Sequence, residues 1–326
     1  MSAPVFREDP TWGEALPDLR AHDVSDIAVD ARGQVHLLYR DPSFIVVAAP
    51  DGRLDAVVGE GVLGKRPHGI AVTDDGWLVV EEAGHCVRVL DRSGRQTGTF
   101  GSGPSNPAFV HPVARDHWKH VAKGYPPFTR PARVAIAPWG DLYVADGYGN
   151  CRVHRFSPSG ELLSSWGEPG TGPGQMNLPH AVMVDRAGRI LVCDRENDRV
   201  QIFDRDGTFL EQWTDLQRPQ GLAEDRAGLY YVAEGEWRAG NVSARLGPVG
   251  PSPARVSVIG RDGTVLDRIA PDGPRNRFAF ITGHAIALDA RNGDLYVAEV
   301  SFSVLRRFPD MKVEDRRAVR KLRRLG

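Results

Sequence analysis

A unit of about 40 residues recurs along this chain, and a repeat of that period restricts the fold to a stacked or radial array. The unit reads Pro-x-Gly-Ile-Ala-Val-Asp-x-x-Gly, then Leu-Tyr-Val-Ala-Asp, then Arg-Val-x-x-Phe, then Asp-x-x-Gly-x-x-Leu, and closes near Trp-Gly. Copies begin near Ser25, His68, Ala132, His180, Gln220 and His284, so six units start near residues 24, 67, 131, 179, 219 and 283. Each carries short alternating runs of Val, Ile, Leu and Tyr separated by Asp-Gly, Ser-Gly or Asn-Gly turns, which is the pattern of four antiparallel strands. The expected fold is all-β: a six-bladed β-propeller over residues 1–311, followed by a basic tail, 312–326, that reads as a frayed, solvated helix.

The sixth unit stops after VLRRF at 304–308, read here as its third strand, so one strand is missing. Residues 5–13, VFREDPTWG, end in Trp12-Gly13 just as the outer strand of the third unit, LLSSWG, ends in Trp166-Gly167. The N-terminal strand is therefore expected to complete the last blade and close the ring, removing its open sheet edges.

Within the unit, the residue that opens the innermost strand runs Ser25, His68, Ala132, His180, Gln220, His284. Equivalent positions of a closed ring share one radius and one height, so alternate blades place three imidazoles about 120° apart around the axis. Three ligands with a fourth position left open are the usual protein contribution to a catalytic zinc. A single histidine would read as a satisfied core or loop residue; strict alternation at one repeat position favours a metal. Second strands return to the same mouth, which places Arg40 and Arg195 there from opposite blades, one and four, with Tyr148 in the corresponding loop of blade three. Two guanidinium groups suit a carboxylate or carbonyl oxygen, and a phenol there is a candidate general base. Taken singly, each of these three reads equally as a rim salt bridge or packing group.

Charge excludes some partners. With 41 Lys and Arg against 42 Asp and Glu, no global field favours nucleic acid or an anionic membrane, leaving a small molecule as the expected partner. Cys86, Cys151 and Cys193 form no disulfide framework, and the first residues carry charges and prolines where a secretory signal needs an apolar run. A cytoplasmic location is expected.

The repeats resemble NHL repeats, and the strings ADGYGNCRVHRFSPSGELLSSWGE, LPHAVMV and DRENDRVQIF, with RPHGIAV before and GHAIAL after, are similar to the peptidyl-α-hydroxyglycine α-amidating lyase family. The resemblance implies a zinc on His68, His180 and His284, a catalytic Tyr148, and substrate contacts from Arg40 and Arg195. It also implies cleavage of an N-acyl-α-hydroxyglycine, a carbinolamide from an N-acyl amino acid or peptide, to an amide and glyoxylate. A structural calcium is implied on main-chain oxygens at Ile27 and Ile70; the family's aspartate after the third histidine is Ala285 here, leaving Asp26 as the carboxylate candidate. Thr282 replaces a family methionine beside the substrate.

Two insertions stand out. The first, 104–129, holds His111, His117 and His120 and reads as a solvated loop rather than a second metal site. The second, 235–255, leaves the second strand of blade five on the histidine side; with Trp237, Arg238 and Arg245 it is expected to cap the pocket and set acyl specificity. Two other readings suit the same architecture: a lactonase-type hydrolase, which would usually use axial carboxylates and asparagine for calcium, and a non-catalytic propeller that binds a partner on its rim.

Overall fold

Alternating apolar runs pair within each repeat because a half-buried strand buries every second side chain and satisfies its backbone across the ladder. A computed structural model describes residues 3–17, 22–64, 66–101, 128–271, 273, 275–276, 278–308 and 316–325. It contains six four-stranded antiparallel sheets, each ordered from an inner strand outward. The inner strands are Asp23–Val29, Pro67–Thr73, Arg133–Ile136, Pro179–Val184, Pro219–Glu224 and Gly283–Leu288. Each inner strand touches the next, and the last touches the first, so the ring is a closed six-bladed propeller.

Six apolar clusters fill the six interfaces between neighbouring blades. Between blades one and two, for example, Leu38 and Ile45 meet Trp77 and Val79, all buried. Each such side chain contributes about 1.5–3 kcal/mol when fully buried, so the ring is held by blade packing rather than by anything on its axis.

A buried acid closes the second strand of five blades. Glu81, Asp146, Asp194, Glu234 and Glu299 accept the backbone amides of Gly64, Thr129, Asn177, Gln217 and Ile281, respectively, in the loop entering the same blade, at 2.5–2.7 Å. In four of these blades a third-strand arginine compensates the acid: Arg88, Arg199, Arg255 and Arg320, at 2.7–3.0 Å. The clasp fixes the loops that carry the mouth residues, because a buried carboxylate left without partners would cost several kcal/mol.

The sixth blade differs from expectation in one respect. Val5–Glu8 is its outermost strand, as the Trp-Gly match suggests, but 304–308 is not its third strand. Ser301–Arg307 forms a helix, and the third strand is Val319–Leu325, within the stretch read as a solvated tail. The reason lies in the partners of its charges: Arg320 pairs with Glu299 and Glu8, Lys321 with Asp294, Arg323 with Asp9 and Arg324 with Asp225. Carboxylates from distant segments neutralise a run that looks unpaired along the chain. The insertion between blades two and three, with His111, His117 and His120, lies outside the described residues apart from its end.

Candidate metal centre

The histidines reach the axis through a repeated irregularity of the inner strands. Pro67 pairs with Glu81 and Gly69 with Val80, so His68 is an extra, unpaired residue; the same slip isolates His180, His284, Gln220 and Ser25 in their blades. A bulge bends the strand and re-aims one side chain, here toward the centre of the ring. The three imidazole centroids stand 4.8–5.0 Å apart, pair by pair, which makes a nearly equilateral triangle. One ring nitrogen from each lies within 4.8 Å of the others.

Each ring is oriented by the next blade. Nδ1 of His68 lies 2.9 Å from the carbonyl of Ala132, that of His180 2.7 Å from Gln220, and that of His284 2.7 Å from Ser25. A carbonyl only accepts, so every Nδ1 donates and every Nε2 presents a lone pair to the axis. Burial first, then the neighbouring imidazoles and the guanidinium groups of Arg40, Arg133 and Arg195, push all three imidazoles well below their ordinary pKa, which keeps them neutral. The Tyr148 hydroxyl lies 3.0 Å from Nε2 of His68 and 3.1 Å from Nε2 of His180. One phenol proton cannot satisfy two lone pairs, and three converging lone pairs repel one another unless a cation lies among them. The donor set, neutral nitrogens with backbone-fixed tautomers, fits a divalent ion with an affinity for imidazole.

Two clamps of alternating charge surround this centre. Arg195 donates from Nη1 to the Tyr148 oxygen at 3.2 Å and from Nε to Glu196 at 2.8 Å, while Arg218 bonds the same Glu196 at 3.0 Å. On the other side Glu82 holds Arg66 at 3.1 Å and also Arg130. Burial opposes ionisation of Glu196, yet the guanidinium groups of Arg218 and Arg195 hold its carboxyl at about 2. Arg40 is buried, and its Nη2 has no hydrogen-bond partner among the described residues.

A cavity of about 250 Å³ opens onto the centre, lined among others by His284, Tyr148, Arg40, Arg195, Thr282, Trp237 and Arg238. The insertion at 235–255 contributes Glu236, Trp237, Arg238, Asn241 and Val242 to its lining and carries a short ribbon, Val242–Ser243 against Gly247–Pro248. Arg245 is not part of that lining; it ties the insertion to blade four through the carbonyls of Asn197 and Asp198. Arg66, Glu196, Arg218, Arg307 and Phe308 also line the cavity and were not picked out in the sequence. A signal for two of them existed: Arg-Pro precedes the axial residue in both KRPHG and QRPQG, and Arg66 and Arg218 have positive φ, 66° and 36°, which throws their side chains over the mouth.

Asp26, the carboxylate expected to serve calcium, is engaged by groups of the protein itself. Asp26 accepts the amides of Ile27 and Ile70, both at 2.8 Å, and the guanidinium of Arg133 at 2.6 Å. Its carboxylate therefore already faces a fixed cation. Arg133 reaches it from blade three across the axis and passes Gly221, where an added Cβ would lie 3.0 Å from its Nη1. A calcium ion at Asp26 would have to compete with that guanidinium.

The NHL repeat pattern matches residues 128–156 and 176–203. Over 325 residues the chain is 30% identical to NHL repeat-containing protein 3 of Mus musculus, covering 94% of this chain and 85% of that one. Its match to the Homo sapiens protein of that name is 31% identical and spans half of that protein's length, 50%. Peptidyl-alpha-hydroxyglycine alpha-amidating lyase 1 of Drosophila melanogaster is 31% identical over 192 residues, 53% of this chain and 34% of the fly protein. Among solved structures a streptogramin B lyase superposes with a TM-score of 0.57 at 14% identity, covering 98% of this chain and 97% of that one, which shows the fold alone.

Proposed function

The chain belongs to the NHL repeat family, and from that premise and its axial histidines we propose that it is a zinc-dependent lyase that splits N-acyl-α-hydroxyglycines into an amide and glyoxylate. One observation carries the reading: three bulge-borne imidazoles, each locked by a neighbouring blade, aim their lone pairs at one point beside a phenol and a cationic cavity. A scaffold that bound partners on its rim would have no use for this arrangement, and the six axial positions carry no carboxylate of the kind a calcium lactonase would need. The likeness to the fly amidating lyase supports the same chemistry.

His68, His180 and His284 would hold the ion. When bound, it supplies a positive charge that acidifies the substrate hydroxyl and favours the developing carbonyl. Tyr148 would take the hydroxyl proton, and Arg195, which donates to its oxygen, would orient it for that transfer. Arg40, whose Nη2 lacks a partner among the described residues, would bind the substrate carboxylate and set the hydroxyl against Tyr148. In the bond change, the hydroxyl oxygen forms the C=O of glyoxylate as the C–N bond breaks, and the departing amide nitrogen takes up one proton. No water is consumed.

Cys86, Cys151 and Cys193 are free and buried, which supports a reducing, cytoplasmic setting. Among the described residues no helix is long and apolar enough to cross a membrane. The test is metal analysis of the purified protein together with an assay for glyoxylate released from N-acyl-α-hydroxyglycines. About one zinc per chain and stoichiometric glyoxylate are expected; a metal-free, inactive protein would leave the partner-binding propeller as the better reading.

A further inference from the structure

Three of the six axial positions are histidines, and the other three differ in what they leave for a ligand. Ser25 turns its hydroxyl to the carbonyls of Leu38 and Pro67, at 3.2 and 2.9 Å. Ala132 has no polar side chain. Gln220 has one, and it lines the cavity. The residue is only 4% exposed, and its backbone carbonyl is the one that holds Nδ1 of His180. Its side-chain carboxamide makes no hydrogen bond among the described residues. The carboxamide lies against Gly235, at the root of the insertion, where a Cβ would overlap its Nε2, so the absence of a side chain at 235 leaves it its place. A buried amide without a partner is costly, and one that folding leaves unsatisfied beside a cavity is a group for a ligand to satisfy.

The other odd-numbered blades already serve the substrate in the lyase reading, Arg40 of blade one for the carboxylate and Tyr148 of blade three for the hydroxyl. What remains of a carbinolamide is its amide group, and blade five presents Gln220. We propose that Gln220 is a further catalytic residue, which donates its side-chain N–H to the acyl oxygen of the substrate and stabilises the amide as it leaves. This rests on the lyase reading. As the C–N bond breaks, its electron pair passes to nitrogen and is shared with the acyl oxygen, so a donor at that oxygen favours departure. The hydroxyl proton that Tyr148 takes up balances the one the nitrogen gains; Gln220 lends a hydrogen bond and no proton.

Gln220→Met tests this, because it keeps the length of the side chain and the backbone carbonyl behind His180 and removes only the amide. Calorimetry on the zinc-loaded proteins compares N-acetylglycine with pentanoate, a carboxylate of equal chain length without the carbonyl. Neither carries the hydroxyl, so binding is read without turnover. The variant should bind N-acetylglycine at least about fivefold more weakly and pentanoate equally well. On N-acetyl-α-hydroxyglycine its kcat should fall about 10²-fold, and on the N-trifluoroacetyl analogue, whose amide leaves more readily, clearly less. Unchanged affinity for N-acetylglycine or equal losses on the two substrates would overturn the proposal, as would loss of zinc from the variant, which would make Gln220 a metal ligand. A failure of the lyase reading is seen separately: the wild type would release no glyoxylate from either hydroxyglycine although the Gln220-dependent difference in affinity stood intact.

Discussion

The hydroxyl of Tyr148 lies 3.0 Å from Nε2 of His68, the ring nitrogen that also points at the axis. The two rings meet edge-on at a centroid distance of 5.0 Å, so the contact is set by packing as well as by the hydrogen bond. The same phenol meets Nε2 of His180 and the Arg195 guanidinium, and the proposed lyase reaction would use it as the base.

Tyr148→Phe should therefore keep its metal and bind substrate with little change in KM, yet lose about 10²–10⁴-fold in kcat, the usual contribution of a general base. Tyr143→Phe is the control, because that hydroxyl bonds the carbonyl of Arg205 in blade four, away from the axis. If Tyr148→Phe retained more than about a third of wild-type kcat, the phenol would be packing and not chemistry.

Replacing His68, His180 or His284 by Ala should remove most of the bound zinc and the activity while the strand signal in circular dichroism persists. The ring is closed by six inter-blade clusters that exclude the imidazoles. Chelation of the wild type should likewise lower Tm without unfolding it at room temperature, since binding to the folded state adds stability only in proportion to ion occupancy. Full zinc content in any one of the three variants would remove that residue from the site.

The blades and the axial histidines were legible because a radial fold repeats them, so six weak signals reinforce one another in register. The sixth blade's third strand was not. VLRRF resembles the repeat, but the strand that pairs with Leu295–Glu299 lies further along the chain, and its charges become tolerable only beside Glu299, Asp294, Asp9 and Asp225. Pairings of that range have no local trace. The bulges that aim the histidines were equally invisible, since a bulge is a relation between two strands and not a residue type. Asp26, expected to face a calcium ion, faces the guanidinium of Arg133, which reaches it across the axis from another blade, a relation with no local trace either.

The Arg133 assignment predicts that calcium chelation leaves Tm unchanged, whereas Arg133→Met destabilises the protein strongly. Removing the guanidinium strands the buried Asp26 carboxylate, and breaking a buried pair in this way costs about 3–5 kcal/mol. The double variant Arg133→Met with Asp26→Asn should recover part of that loss. A drop in wild-type Tm with a calcium-selective chelator, reversed by added calcium, would contradict the assignment.

Glu196 gives a pH-dependent prediction. Its carboxyl is held at about 2 in the folded protein, against an ordinary glutamate value near 4.3 when unfolded. A depressed folded pKa contributes stability that is fully present above the unfolded value and is lost as pH falls from there toward 2. Between pH 5 and pH 3 the wild type should lose more Tm than Glu196→Gln, in which that linkage is absent. Parallel Tm-against-pH curves for the two proteins would show that the Arg195–Glu196–Arg218 clamp contributes nothing to acid stability.

Arg40 carries the last prediction, in which stability and activity move in opposite directions. The side chain is buried, and burial together with the like charge of Arg66 depresses its pKa. Among the described residues its hydrogen bonding is limited to a long contact, Nε to the Pro67 carbonyl at 3.4 Å, and Nη2 has no partner there. A buried donor without an acceptor costs about 1–3 kcal/mol, so the folded protein holds Arg40 in place at its own expense. Arg40→Met, similar in volume and without polar atoms, should therefore raise Tm by about 2 °C or more while lowering kcat/KM at least about tenfold. Arg40→Lys separates charge from shape: the ammonium preserves the cation but not the planar fork, and kcat/KM should still fall with zinc content unchanged. If Arg40→Met lowered Tm instead, the guanidinium would be a structural tie of blade one, and wild-type kinetics in Arg40→Lys would take it out of substrate binding altogether.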